Sequence, residues 1–255
     1  MSELVVVGCG TVVPEGDRAQ SSYHVELGGS RVLLDCGPGA LQALARLGLG
    51  WGSITDLAIT HFHADHVGAI PGLMFALTHG LQMGRRAPLH VWGPAGTVDW
   101  FRRVADAFGP FVLDPGFPVE VSEIAPGGEA RLAHGGTLRA HKTPHTDESL
   151  AYRLEEGDTG VGYTGDTGPS DTLGAFMRGV AVLVTECSLP DEQVSENHLS
   201  PARAAALAAE ADPGTLVLSH IYPHLRETRD VAASVRAGGF EGRIELAWEG
   251  LRIPF

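Results

Sequence analysis

Lysine is almost absent from this 255-residue chain: Lys142 stands alone beside 17 arginines, and 31 acidic residues against 18 basic ones leave a formal charge of −13. So acidic a surface repels polyanions unless a local feature reverses the sign, and no basic run exceeds the pairs Arg85-Arg86 and Arg102-Arg103. A general nucleic-acid patch is therefore not visible in the sequence. Cysteine is scarce too. Cys9, Cys36 and Cys187 are odd in number, far apart and form no Cys-x-x-Cys pair, which argues against a disulfide scaffold or thiolate zinc site and predicts three buried small apolar residues. Long apolar runs are also missing: the longest, residues 4–13, contains two glycines and falls short of the ~18–20 residues a spanning helix needs. No basic region precedes it and no cleavage-like site follows, so the expectation is a soluble cytoplasmic protein without a membrane partner.

What is present is core material. Hydrophobic residues make up 44% of the chain and charged ones 19%, enough to fill a sizeable interior and too few charges for disorder. Apolar or alternating stretches predict strands over 4–7, 23–27, 32–35, 56–60, 89–92, 119–124, 138–143, 150–154, 160–164, 181–185, 215–219 and 243–248. Helical spacing predicts helices over 39–47, 67–78, 96–108, 201–210 and 228–237, with Pro71 tolerated near the start of the second. Strand-rich halves that each carry helices suggest packed sheets with helices outside, a layered α/β architecture. Without a linker-like stretch or a short repeat, one domain over 1–255 is expected.

Twelve histidines are the unusual excess. Thr60-His61-Phe62-His63-Ala64-Asp65-His66 sets three imidazoles and a carboxylate within six residues, just after an apolar strand. Imidazole nitrogen and carboxylate oxygen are ligands that zinc and similar divalent ions accept, and His-x-His on extended backbone turns both rings to one side. A helix beginning near Asp65 would aim Asp65 and His66 at a second spot, a geometry for two neighbouring metals.

The segment resembles the His-x-His-x-Asp-His signature of the metallo-β-lactamase superfamily. Other motifs of that family follow in order: Asp35 in Leu33-Leu34-Asp35-Cys36-Gly37, His145, Asp166 in Tyr163-Thr164-Gly165-Asp166-Thr167, and His220 closing Leu216-Val217-Leu218-Ser219-His220. The resemblance covers essentially the whole chain. It implies a four-layer αββα fold of two packed mixed sheets with helices outside. It also implies one ion held by His61, His63 and His145, a second by Asp65, His66 and His220, and Asp166 bridging them. Asp35 would lie behind the site and fix ligand histidines by hydrogen bonds. Zinc is the expected metal for a histidine-rich site, with manganese or iron accepting similar ligands.

Within the superfamily, the stretch from His145 to Arg153 resembles the ribonuclease Z segment in which serine and Gly-Tyr follow a ligand histidine, with Ala151 here in place of the glycine. His198, in Asn197-His198-Leu199-Ser200 and 22 residues ahead of His220, matches an additional site histidine of ribonuclease Z-like enzymes, and Glu186 the acid that accompanies it. The implied catalytic set is Asp65, holding and orienting a hydroxide shared by the metals, His198, protonating the leaving alkoxide, and Glu186, orienting His198. His198 could instead cap the following helix beside Ser200. Ribonuclease Z enzymes usually carry a long glycine- and proline-containing arm between the Tyr-Arg segment and the Gly-Asp-Thr motif, where this chain has only residues 154–164. The expectation is therefore a compact phosphodiesterase acting on small anionic esters such as cyclic nucleotides. A lactonase or thioesterase of the same fold and a transfer RNA 3′ processing endonuclease are the alternatives, and a homodimer is common in the group.

Overall fold

The computed structural model describes residues 2–193 and 195–255. Strands β1 (Glu3–Gly8), β2 (Ser22–Leu27) and β3 (Ser30–Leu34) form an antiparallel meander, and β4 (Asp56–Ala58), β5 (Leu89–Gly93) and β6 (Val119–Glu123) extend it in parallel. The second half repeats the plan. β7 (Glu129–Arg131), β8 (Thr137–Lys142), β9 (Leu150–Glu156) and β10 (Thr159–Tyr163) are antiparallel neighbours, followed in parallel by β11 (Val182–Glu186), β12 (Thr215–Ser219) and β13 (Arg243–Leu246). The last strand, β14 (Arg252–Pro254), crosses back and pairs antiparallel with β1. Each sheet thus has seven strands and the same succession of three antiparallel and three parallel pairings.

Parallel neighbours need crossovers, and these carry the helices. In the first half they are α1 (Ala40–Arg46), α2 (Ala64–Val67), α3 (Ile70–His79) and α4 (Thr97–Phe108). In the second they are α5 (Leu173–Phe176), α6 (Pro201–Ala211), α7 (Pro223–Thr228) and α8 (Val231–Ala237). Strands covered on both faces must be apolar on both, and alternate side chains part accordingly. From β3, Val32 and Leu34 enter the core between the sheets, whereas Leu33 packs under α1 and α3 with Leu44, Ile70 and Leu73. From β11, Val182 and Val184 join the same central core, while Leu183 meets Ala204, Ala208 and Val235 beneath α6 and α8. Three apolar layers between four layers of structure make the two-sheet αββα sandwich expected from the motifs.

Several boundaries differ from the sequence reading, the strand expected over 243–248 ending at Leu246 among them, and three differences have a visible physical cause. The helix expected over 67–78 begins only at Ile70, because Val67 closes the short α2 with Gly68 as its C-cap and Pro71, which has no N–H to donate, sits in the first turn of α3. The helix expected over 228–237 is preceded by α7, which Pro223 starts, and begins only after Asp230, whose carboxylate accepts the Ala233 N–H. β4 ends at Ala58 rather than Thr60 because the Thr60 N–H turns to the Asp35 carboxylate. Strands β7 and β14 and helix α5, three or four residues each, carry too little pattern to be seen in advance. Cys9, Cys36 and Cys187 are free and buried. Among the described residues no helix is long and apolar enough to cross a membrane.

Candidate metal centre

Ligands of open α/β sheets collect beyond the carboxyl ends of parallel strands, and here the corresponding ends of both sheets lie side by side. Asp35 follows β3, His61 stands three residues past β4, Asp166 follows β10, Glu186 is the last residue of β11, and His220 follows β12. His145 comes from the β8–β9 connection and His198 from the loop ahead of α6. Asp35 and His220 have left-handed backbone, φ 54° and 50°, so each strand ends in an abrupt turn that swings its side chain inward.

The dense segment behaves as its spacing requires. Residues 60–63 carry no regular secondary structure, His63 is extended, and α2 opens at Ala64, so Asp65 and His66 project from the first helical turn. Two clusters result, with the ligand atoms of each within 4.8 Å of one another: His61, His63, His145 and Asp166 in one, Asp65, His66 and His220 in the other. Asp166 faces both. Its carboxylate lies 3.6 Å from His145 Nε2 and 4.0 Å from His61 Nε2 on one side, and 3.3 Å from His66 Nε2 and 3.7 Å from His220 Nδ1 on the other. Asp65 Oδ2 is 3.2 Å from His220 Nε2.

Hydrogen bonds behind the site fix which nitrogen of each ring faces it. Asp35 Oδ2 takes His66 Nδ1 at 2.7 Å, the Thr60 hydroxyl at 2.8 Å and the Tyr163 hydroxyl at 2.8 Å, while Oδ1 accepts the Thr60 N–H at 2.8 Å. The Thr60 hydroxyl lies 3.0 Å from His61 Nδ1, and His145 Nδ1 donates to the Asn197 carbonyl at 2.8 Å. In all three rings Nε2 is left toward the cluster, the arrangement that orients metal-bound histidine. Burial, reinforced by His66, holds the His61 imidazole well below its ordinary pKa and therefore neutral. Burial would raise Asp166, but the facing His220 and His66 rings hold it well below the usual carboxylate range.

Three fully enclosed polar atoms here have no hydrogen-bond partner among the described residues: Asp166 Oδ1, His61 Nε2 and His66 Nε2. Buried polar atoms left without partners are costly, and these converge on one place. A carboxylate oxygen and two imidazole nitrogens converging in this way form a donor set that divalent cations accept.

Next to the clusters stands a second unit. The His198 ring is 4.9 Å from that of His145 and 6.0 Å from that of His220, and its Nδ1 meets the buried Glu186 carboxylate at 3.0 and 3.1 Å. Glu186 is itself held by the Thr167 N–H at 2.7 Å, the Leu199 N–H at 3.1 Å and the Ser188 hydroxyl at 2.5 Å. Burial would lower the His198 pKa, but the hydrogen bond and charge of Glu186 outweigh it and raise it. Ser200, not His198, occupies the N-cap position of α6.

Residues 30–221 match the beta-lactamase superfamily domain. The chain belongs to this superfamily. Its place in the ribonuclease Z-like branch follows from Ribonuclease Z of Mycobacterium bovis (strain BCG / Pasteur 1173P2), 30% identical over 268 residues that cover 96% of this chain and 95% of the relative. The metallo-beta-lactamase fold protein YhfI from Bacillus subtilis has the same fold, with a TM-score of 0.84 at 24% identity over 99% of this chain and 98% of its own. Human tRNase Z, short form, gives 0.79 at 22% identity over 99% and 98%. The chain is thus a metallo-β-lactamase superfamily hydrolase whose His/Asp cluster suits divalent metal.

Several supports of this hydrolase centre went unrecognised in the sequence. Thr60, Tyr163 and Ser188 look like ordinary strand-end or core residues, and the Asn197 carbonyl carries no side-chain signal at all. Lys142 has a use as well: its Nζ donates to the carbonyls of Thr143 and Thr146, each at 2.6 Å, and is 3.5 Å from that of Ser149. The sole lysine thereby ties together the loop that presents His145.

Proposed function

We propose that this hydrolase is a phosphodiesterase that works with two divalent ions, zinc by its ligand set and manganese or iron by the same donors, on small phosphodiesters such as cyclic nucleotides. His61, His63 and His145 would hold one ion, Asp65, His66 and His220 the other, and Asp166 both. Two bound ions supply Lewis acidity toward phosphoryl oxygens and a nucleophile at neutral pH. Asp65, 3.2 Å from His220 Nε2, would orient that nucleophile. Asp35 keeps His66 aimed. The chain acts as a single cytoplasmic domain over residues 1–255.

The observation that carries the reading is the pairing of His198 with Glu186 beside the clusters. Glu186 occupies Nδ1, so Nε2 remains to give a proton to a departing alkoxide, a service that an acidic thiol leaving group does not need. A small substrate is favoured by the tight β9–β10 hairpin, with only Gly157 and Asp158 between its strands. It is also favoured by the commitment of at least ten arginines to carboxylates. A second reading, transfer RNA 3′ processing, draws on the identity to a relative named Ribonuclease Z.

One parallel assay tests both readings: metal-analysed protein on bis(4-nitrophenyl) phosphate, cyclic nucleotides, a lactone, a thioester and a precursor transfer RNA. Turnover of the diesters with precursor RNA left intact is expected. Cleavage of the precursor RNA would install the second reading, and turnover of the lactone or thioester alone would overturn both.

A further inference from the structure

His198 and His220 have nearly parallel rings, 13° apart, and a third ring closes the group. Tyr222 stands edge-on to both, its centroid 6.3 Å from His198 at 74° and 5.9 Å from His220 at 79°. The three rings form a triangle with sides of about 6 Å. Two of its corners belong to the site already described, one a candidate ligand and the other the proton donor. Tyr222 belongs to neither set, and nothing in the sequence singled it out.

Its backbone explains why it arrives there. His220 turns the chain with φ 50°, and Tyr222 is extended at φ −59°, ψ 143° before Pro223 starts α7, so the ring is held by a turn on one side and a helix start on the other. It is half-buried, unlike Tyr23, Tyr152 and Tyr163, which lie in the central core. Those three hydroxyls have partners: Ser219 Oγ at 2.5 Å, the Ile59 carbonyl at 2.7 Å and Asp35 Oδ2 at 2.8 Å. The Tyr222 hydroxyl makes no hydrogen bond with any described residue. Packing alone would be served by phenylalanine; a half-buried phenol beside the His198 and His220 rings brings one hydrogen-bond donor.

We infer that Tyr222 is a substrate-contacting residue whose hydroxyl donates a hydrogen bond to a non-bridging oxygen of the bound phosphoryl group, next to the proton that His198 gives the leaving oxygen. This rests on the phosphodiesterase reading. As the phosphorus is attacked, negative charge on such oxygens is stabilised by fixed donors, and the loss of one such donor elsewhere costs ~10²–10³ in kcat. A single half-buried phenol is expected to contribute less than that range, a loss of about tenfold or more.

The test uses the metal-loaded full chain and Tyr222→Phe, which keeps the ring and removes only the hydroxyl. Metal content and Tm should match the parent. The kcat for bis(4-nitrophenyl) phosphate should fall about tenfold or more, with KM changed less, and the Kd for inorganic phosphate measured by calorimetry should weaken several-fold. Equal kcat and equal phosphate affinity in variant and parent would overturn the inference, as would a parent that binds no phosphate. A parent that turns over no diester yet binds phosphate in a Tyr222-dependent manner would defeat the phosphodiesterase reading and leave the contact standing.

Discussion

Asp35 gathers four donors on one carboxylate, two from Thr60 and one each from His66 and Tyr163, and so couples the end of β3 to three other segments. Removing it leaves His66 free to rotate and its Nδ1 without a fixed partner. Asp35→Ala should weaken metal binding by about 10–100-fold in a competition titration with a chromogenic chelator. His198 predicts the opposite separation. His198→Ala should retain the parent's metal content while diester turnover falls ~10²–10⁴-fold, and unchanged turnover would remove the proton-donor role. His24 concerns stability alone. It lies on β2 with both ring nitrogens buried and unpartnered, and burial holds its pKa below the ordinary value against the opposing pull of Glu26. The unfolded chain takes up a proton near pH ~6.5 and the native imidazole does so only at lower pH, so native stability is complete above that pH and declines as pH falls through it. Urea midpoints at pH 7 and pH 5 should differ less in His24→Val than in the parent.

At the scale of elements, the loop from Thr143 to Ser149 shows how a distant residue can govern a site. Lys142 offers three donors, and three carbonyls of the loop converge on it. Lys142→Met should cost about 1–3 kcal/mol. That amounts to a few degrees in Tm by thermal denaturation, and an unchanged Tm would show the clamp to be idle. This loop also marks the limit of what could be read in advance. The strand before it and the strand after it were legible from alternation, and His145 from its motif, but the hydrogen bonds that aim the ring come from the Asn197 carbonyl 52 residues away. Such contacts leave no periodic trace. The same holds for β14, whose three residues acquire a role only by pairing with β1 across 249 positions of chain. By contrast β3, β11 and β12 were placed closely, because a strand buried on both faces must be a continuous apolar run and little else fits one. His61 to His66 were legible for a related reason: a cluster of ligand-type side chains between two apolar elements has no packing explanation.

For the whole molecule, the acidic surface and the centre it encloses act at different ranges. Asp35, Asp56, Asp65, Asp166 and Glu186 are buried; the rest of the negative excess lies nearer solvent and is screened within ~8–10 Å at ordinary salt, whereas divalent ions held by the buried cluster would act at contact distance. On the proposed reading, a small anion would be drawn in where a long one would find no track. Ions that bind only the native state also stabilise it, by ~4 kcal/mol when the free metal is a thousandfold above Kd. Dialysis against a chelator should lower Tm and abolish hydrolysis together, and added zinc or manganese should restore both; a Tm indifferent to metal would show that no ion binds the native state preferentially.

The matching strand pairings of the two sheets carry a consequence for synthesis. His61, His63, Asp65 and His66 come from the first half of the chain, and His145, Asp166, His198 and His220 from the second. Neither half owns a complete coordination sphere. A nascent chain that has emerged only as far as β6 displays three imidazoles and two carboxylates with nothing opposite them, and β1 still waits for β14 to cover its edge. On the proposed ligand set, tight metal capture would then be a late event, a certificate that translation has passed His220 and that the two sheets have closed on each other.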